Sequence, residues 1–176
     1  MLSSLPFWYP RVNHSKSYQQ NELRKTMKIY IDADACPTGV KDIIFRVAER
    51  RQIETILVAN CYIKPPYCKY ITTIQVAAGP DVADEKIVEL AEIGDLVVTA
   101  DIPLANFIVE KGAFAVNPRG TLYTEANIKE KLSMRDFMSD LRDTGVQTGG
   151  PPPFTQKDCH QFANSLDRFL AKNLKR

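Results

Sequence analysis

The sequence predicts an α/β protein, a three-layer sandwich with a mostly parallel sheet of about five strands. Two patterns predict this fold class: short apolar runs alternate with amphipathic helical segments, and Pro and Gly residues separate them. Strands that alternate with helices are connected by crossovers, so they lie parallel and are covered by helices on both faces. With 176 residues, of which 44% are hydrophobic, the chain is long enough to bury one substantial core.

The predicted elements follow one another in a regular order after Met27. Five apolar runs are predicted to be strands: 28–33, 54–60, 71–77, 96–100 and 113–117. A first helix is predicted to begin at Pro37, which suits a first turn. Helical spacing of apolar residues predicts the remaining helices over or within 82–93, 103–112, 124–143 and 156–174. Thr155 and Asp158 form an approximate capping box at the start of the last helix.

Residues 1–26 differ from the rest of the chain because they show neither helical nor strand periodicity. We expect a disordered extension there, followed by one domain over 27–176. The extension carries a formal charge of +3, which leaves −1 for the domain out of the total of +2. A near-neutral domain lacks the excess of positive charge that is typical of a large nucleic-acid footprint.

Hydropathy and cysteine usage predict a cytoplasmic protein that does not enter membranes. The sequence has no run of about 18 apolar residues, which a membrane-spanning helix needs. The four cysteines lack Cys-x-x-Cys spacing and follow no secretory signal; they are Cys36, Cys61, Cys68 and Cys159. We therefore expect reduced thiols and no zinc site.

Acidic residues follow two of the predicted strands. Asp32 and Asp34 end the first strand in "DADACP", and Thr99 and Asp101 end the fourth in "VVTAD". Asp84 lies in the first turn of the helix that precedes the fourth strand. Ligands of open α/β sheets bind outside the carboxyl ends of the strands. If the first and fourth strands are neighbours, the four carboxylates converge on one pocket, where we expect the catalytic residues.

Several carboxylates at one sheet edge suit Mg²⁺ or Mn²⁺, which activate water and stabilise charge on a phosphodiester. Each acid also has a structural interpretation. Asp34 suits a cap of the first helix, Asp84 suits the positive end of its own helix, and Asp101 suits a turn before Pro103. The convergence of all four on one edge favours the functional interpretation.

A further group of polar residues follows the fifth strand. In "NPRG", Asn117 is placed to orient a ligand, and Arg119 is placed to bind a phosphate through paired hydrogen bonds. The same four residues form a typical turn, so both interpretations stay open. Thr99, after the fourth strand, is a third candidate for phosphate binding.

Several motifs, in this order along the chain, resemble the YaiI/YqxD family of small bacterial proteins. They are "DADACP", "ADEKIVELAEIGDLVVTADIPLA", "NPRGTLYTEANI" and "TGGPPPFTQKD", and the resemblance covers essentially Met27 to the C-terminus. The family is similar to PIN-like nucleases, whose acidic cluster binds a divalent metal and cuts RNA. This resemblance implies a PIN-like fold, with Asp32, Asp84 and Asp101 as ligands of Mg²⁺ or Mn²⁺. It also implies RNA as a partner, whereas the inclusion of Asp34 rests on its position alone.

Three functions follow from these observations. The leading hypothesis is a metal-dependent phosphodiesterase that acts on RNA. An alternative is a phosphatase with an aspartyl-phosphate intermediate, in which Asp32 is the nucleophile, Asp34 the acid and Thr99 a phosphate contact. Against it, such enzymes carry a Gly-Asp motif after a late strand, whereas Gly94-Asp95 precedes one here. The third hypothesis is a non-catalytic module that binds RNA or protein.

Overall fold

The structure is a computed structural model, and it describes residues 26–147 and 149–174. The predicted extension lies outside this part, apart from Thr26. The described part contains six strands: β1 (Ile29–Asp32), β2 (Thr55–Ala59), β3 (Ile71–Gln75), β4 (Leu96–Val98), β5 (Phe114–Val116) and β6 (Leu122–Tyr123). It contains five helices: α1 (Thr38–Arg51), α2 (Val82–Leu90), α3 (Ile102–Glu110), α4 (Glu125–Asp143) and α5 (Gln156–Asn173).

The strands form one sheet in the order β3-β2-β1-β4-β5-β6. All neighbouring pairs are parallel except β5 and β6, which are antiparallel. The predicted α/β class with a mostly parallel sheet is therefore confirmed. The five predicted strands are all present, and β6 is additional. With only two residues, β6 is too short to show the alternation by which a strand is recognised in a sequence.

Helices cover both faces of the sheet and enclose two apolar cores. Alternate residues of β1 supply the two cores, since Ile29 and Ile31 lie in the core beneath α1 and α5, and Tyr30 lies in the core beneath α2 and α3. Phe162 of α5 is fully buried in the first core, and Ile108 of α3 is fully buried in the second. The resulting three layers have the architecture expected of a PIN-like domain.

The order of the strands reverses between β1 and β4. From β1 the chain passes through α1 to β2 and β3 on one side, and from β3 it returns through α2 to β4 on the other side. Such a reversal opens a crevice at the carboxyl ends of the two central strands. The first and fourth strands are thus neighbours, which is the condition under which the acidic residues were expected to converge.

The turn between β5 and β6 is fastened to the start of α5. An Arg119 guanidinium nitrogen lies 2.9 Å from Asp158 Oδ2, and its guanidinium lies over the Phe154 ring, 5.6 Å from the centroid. Gly120 has a positive φ of 87°, and a Cβ there would lie 2.9 Å from the carbonyl oxygen of Gln161. We call Arg119, Gly120, Phe154 and Asp158 the turn anchor.

The predicted capping box at the start of α5 is present. The backbone N–H of Thr155 donates to Asp158 Oδ2 at 2.7 Å, and the Thr155 hydroxyl lies 2.9 Å from the same oxygen. The four cysteines are free thiols. Within the described ranges, none of the helices combines the length and the hydropathy needed to cross a membrane.

Candidate functional site

Asp32 lies at the centre of the predicted site, at the carboxyl end of β1. Its side chain is 6% exposed, and its Oδ2 accepts a hydrogen bond from the Thr99 hydroxyl at 3.1 Å. The backbone N–H of Ala35 also donates to it. The Thr99 hydroxyl in turn accepts a bond from the backbone N–H of Asp101 at 3.0 Å. One hydroxyl therefore links the ends of β1 and β4 and orients the carboxylate between them.

Asp101 is the N-cap residue of α3. Its Oδ1 accepts a hydrogen bond from the backbone N–H of Leu104 at 2.8 Å, which satisfies one of the free N–H groups of the first turn. The structural interpretation of Asp101 thus describes a contact that is present. Only one oxygen of the Asp101 carboxylate is used by the cap. The negative charge of Asp101 lies near Asp32 and Asp84 and contributes to raising their pKa values.

Asp84, in the first turn of α2, has a pKa raised to about 6. Burial is the largest cause, and the negative charges of Asp32, Asp101 and Asp81 follow. Burial also raises the pKa of Asp32, with further contributions from Asp34 and Asp101, although the Thr99 hydrogen bond opposes them. Asp32 and Asp101 therefore lie close enough to Asp84 for their charges to raise its pKa, and a site shared by the three stays a prediction.

Asp34 is exposed in the turn after β1, and it does not cap α1. Its Oδ2 accepts a hydrogen bond from the backbone N–H of Asn60 at 2.6 Å, and α1 begins after Pro37 without a side-chain cap. The interpretation of Asp34 as a helix cap was therefore wrong. β2 ends beside β1, and the backbone N–H of Asn60 that follows β2 is the group that Asp34 binds. Asp34 still lies close enough to raise the pKa of Asp32.

Asn117 and Arg119 lie in the turn between β5 and β6, and their side chains bond to that turn, to the turn anchor and to β6. Asn117 Oδ1 accepts hydrogen bonds from the backbone N–H groups of Arg119 at 3.0 Å and Thr121 at 2.9 Å. Arg119 is bonded to Asp158 and to the carbonyl oxygen of Pro152. These contacts already occupy both terminal nitrogens of the guanidinium, and phosphate binding by Asn117 and Arg119 stays a prediction.

Tyr123 is a residue near the site that the sequence did not indicate. It is buried on β6 and hydrogen-bonded to the Asn117 side chain, and the charge of Asp101 contributes to raising its pKa. The register that pairs Ala115 with Tyr123 places it there. A hairpin reading of "AFAVNPRGTLY" would have identified it, because a short turn there brings the two strands together.

The chemistry of the donor set fits a hard divalent cation. Asp32, Asp84 and Asp101 offer only carboxylate oxygens, the ligands that Mg²⁺ and Mn²⁺ prefer. In the part of the chain that the structure describes, the charged groups that raise the pKa values of Asp32 and Asp84 are carboxylates, and burial is the larger cause for both. Within residues 26–147 and 149–174, however, no three acidic, His or Cys side chains stand close enough to hold an ion. Binding would therefore require the carboxylates to move together.

The fold is a three-layer α/β sandwich consistent with a PIN-like domain. We call Asp32, Asp84 and Asp101 the carboxylate edge. Comparison with known families gives a more specific assignment. The chain belongs to the family described as "Uncharacterized BCR, YaiI/YqxD family", which it matches over residues 30–172. The expected resemblance is therefore confirmed. No solved structure gives a significant match.

Curated relatives extend over nearly all of the domain. A UPF0178 protein of Dechloromonas aromatica is 63% identical over 146 residues, which are 83% of this chain and 97% of the relative. A UPF0178 protein of Desulfotalea psychrophila is 57% identical over 146 residues, covering 83% and 99%. One from Photobacterium profundum is 57% identical over 150 residues, covering 85% and 100%. These names state no activity, so the function is argued from the site.

Proposed function

We propose that this protein is a metal-dependent phosphodiesterase that cleaves RNA. The observation that supports it most is the position of Asp32 and Asp101 at the carboxyl ends of the adjacent strands β1 and β4, close enough to Asp84 that their charges, after burial, raise its pKa. Buried like charges cost folding free energy, and such arrangements cluster at functional sites. A divalent cation between them would remove this cost.

In this proposal, Asp32, Asp84 and Asp101 hold Mg²⁺ or Mn²⁺. The ion would polarise a phosphoryl oxygen and lower the pKa of bound water. The remaining roles belong to the protein. Thr99 fixes the orientation of Asp32, and the cap of α3 holds Asp101 beside it. Asp34 is exposed and accepts a hydrogen bond from the backbone N–H of Asn60, which follows β2. In this proposal it supports the metal ligands or binds a second ion.

RNA is the proposed substrate because the family is similar to PIN-like nucleases. The formal charge from Met27 onward is near neutral, whereas binding a long duplex needs many cationic contacts with phosphates. The domain is therefore expected to contact only a few nucleotides of its substrate. Two observations favour the nuclease over an aspartyl-phosphate phosphatase. Asp32 is almost fully buried and hydrogen-bonded, which makes it a poor nucleophile, and Asp34 is bonded to the end of β2 instead of lying free to donate a proton.

The test is cleavage of a single-stranded RNA oligonucleotide in the presence of Mn²⁺. Asp32→Asn, Asp84→Asn and Asp101→Asn each keep the side-chain shape and remove one charge. We expect each to lower the cleavage rate by more than about 100-fold, because metal ions supply several kcal/mol of transition-state stabilisation. Asp42→Asn is the matched control, since Asp42 is exposed on α1 and its carboxylate makes no contact with the site.

Three other outcomes would contradict the proposal. Equal cleavage by all five proteins would show that the activity does not come from this site. Hydrolysis of small phosphomonoesters, together with Mg²⁺-dependent binding of beryllofluoride, would favour the phosphatase. RNA binding without cleavage would favour the non-catalytic module.

A further inference from the structure

A groove with a volume of about 720 Å³ lies beside the carboxylate edge, bordered by α2, α3 and α4. Asp84 and Asp101 belong both to the groove wall and to the predicted metal site. A molecule in the groove therefore has one end at the carboxylates. The volume is within the range of ordinary small-ligand sites.

One wall of the groove is apolar and carries an exposed aromatic ring. Val88, Pro103 and Leu104 form this wall together with Phe107, whose side chain is 57% exposed. A phenyl ring that is exposed at a groove offers a flat surface on which another planar group stacks. The wall thus fits a ligand with a planar, uncharged face.

The rim of the groove is rich in hydrogen-bond acceptors. Asp81, Glu85 and Glu89 line it, and the guanidinium of Arg135, the cation among the lining residues, is bonded to Asp136 at 3.0 Å. Carboxylates repel phosphate groups and accept hydrogen bonds from amino groups. The rim therefore disfavours the backbone of a nucleic acid and favours the amino edge of a base.

We infer that this groove binds an unpaired nucleobase with an exocyclic amino group, next to the phosphodiester at the carboxylate edge. The face of the base stacks on Phe107, and its amino group points to the acidic rim. Adenine, cytosine and guanine carry such donors, whereas uracil does not. The inference rests on the proposed function, and it narrows the substrate to single strands because paired bases are unavailable for stacking.

The experiment measures binding of fluorescent oligoadenylate and oligouridylate to the Asp32→Asn protein by anisotropy, in the presence of Mn²⁺. Phe107→Ala is compared with Phe137→Ala, a matched control that removes an equally exposed phenyl ring on α4 outside the groove lining. Phe107→Ala is expected to weaken oligoadenylate binding about fivefold or more, and Phe137→Ala to leave it unchanged. Oligouridylate is expected to bind more weakly than oligoadenylate.

Adenosine, which has no phosphate, separates failure of this inference from failure of the proposed function. Calorimetric titration of adenosine tests the groove alone, and Mn²⁺ titration with RNA cleavage tests the carboxylate edge. A protein that binds Mn²⁺ and cleaves RNA, but is indifferent to Phe107→Ala, overturns the groove assignment only. Equal losses of oligoadenylate affinity with Phe107→Ala and Phe137→Ala also overturn it, and so does equal affinity for the two homopolymers. Binding of a basic peptide in the groove without binding of adenosine overturns it as well.

Discussion

The carboxylate edge and the turn anchor shift the pKa values of their acidic residues in opposite directions. In the turn anchor, hydrogen bonds from Thr155 and the adjacent Arg119 lower the pKa of Asp158. At the carboxylate edge, burial and neighbouring acids raise the pKa of Asp84 to about 6. Both acids lie in the first turn of a helix, so the helix itself does not explain the difference.

This difference indicates what each region is for. The turn anchor pairs its charge, fills its space and holds the β5–β6 hairpin against α5, all of which stabilise the fold. At the carboxylate edge, burial and then neighbouring acids raise the pKa of Asp32 and Asp84, so keeping these groups charged costs folding free energy. Acids that are kept at such a cost are candidates for function, and the proposed metal site is placed at this edge for that reason.

The largest expected loss of stability is in the turn anchor, from Gly120→Ala. The new Cβ would meet the α5 backbone at 2.9 Å, and the positive φ adds strain. We expect a loss of about 3 kcal/mol, or roughly 9 °C in the melting temperature. Gly145→Ala is the control, since it has a similar φ of 85° but no atom within 4 Å, and strain alone costs about 1 kcal/mol. Equal shifts in thermal melts of the two variants would show that the contact with α5 is not tight.

The next effect is expected at the carboxylate edge, from Thr99→Val. The change keeps the shape but leaves the Asp32 carboxylate and the Asp101 N–H without the hydroxyl that joins them. We expect a loss of about 2 kcal/mol by chemical denaturation. Thr73→Val is the control, because the Thr73 hydroxyl is buried without a hydrogen-bond partner in the described structure, and its removal is expected to be neutral or stabilising. If Thr99→Val leaves the free energy of unfolding unchanged, the Thr99 hydroxyl does not link the ends of β1 and β4.

A smaller effect is expected from Arg119→Ala. The variant loses the Asp158 contact and the position over Phe154, and we expect the melting temperature to fall by about 3 °C. The pKa of Asp158 is lowered in the folded protein, so its contribution is present above the usual range of an aspartate and is lost as the pH falls through the lowered value. The difference between wild type and variant should therefore shrink in melts below about pH 4. A difference that is constant with pH would show that Asp158 is not its partner.

The smallest expected effect is a rise in melting temperature, from Asp84→Asn in metal-free buffer. The pKa of Asp84 is about 6 in the folded protein, above the ordinary value of 3.8. The folded state therefore binds a proton that the unfolded state releases between these values, and wild-type stability falls as the pH rises through this window. We expect the variant to melt about 2 °C above wild type at pH 7.5 and no higher than wild type near pH 4. Asp158→Asn should shift the melting temperature in the opposite direction at pH 7.5, and shifts of the same sign would remove the contrast between the two regions.

The sequence was sufficient for five of the six strands, and it predicted that the acids converge if the first and fourth strands are neighbours. Apolar runs such as those of β1 and β4 are long enough to be recognised, and the rule that ligands bind at the carboxyl ends of strands placed Asp32 and Asp101 together. The structure adds the strand order, which makes β1 and β4 neighbours.

Features that depend on tertiary contacts were not predictable. The partner of Asp34 is a backbone group that follows β2, and no local pattern identifies it. The groove at Phe107 is lined by residues of α2, α3 and α4, and no local pattern in the sequence shows that these helices meet there. For Arg119 the two interpretations were equal in the sequence, and only the structure brings Asp158 and Phe154 to it.

The central claim is that the carboxylate edge is a divalent metal site shared by three acids. Calorimetric titration of Mn²⁺ into wild type, Asp32→Asn, Asp84→Asn, Asp101→Asn and the control Asp42→Asn tests it most directly. We expect wild type and Asp42→Asn to bind with the same affinity, and the three other variants to bind at least about tenfold more weakly, because each loses a ligand. Equal Mn²⁺ affinity in all five proteins would contradict the shared site, and the proposed nuclease function with it.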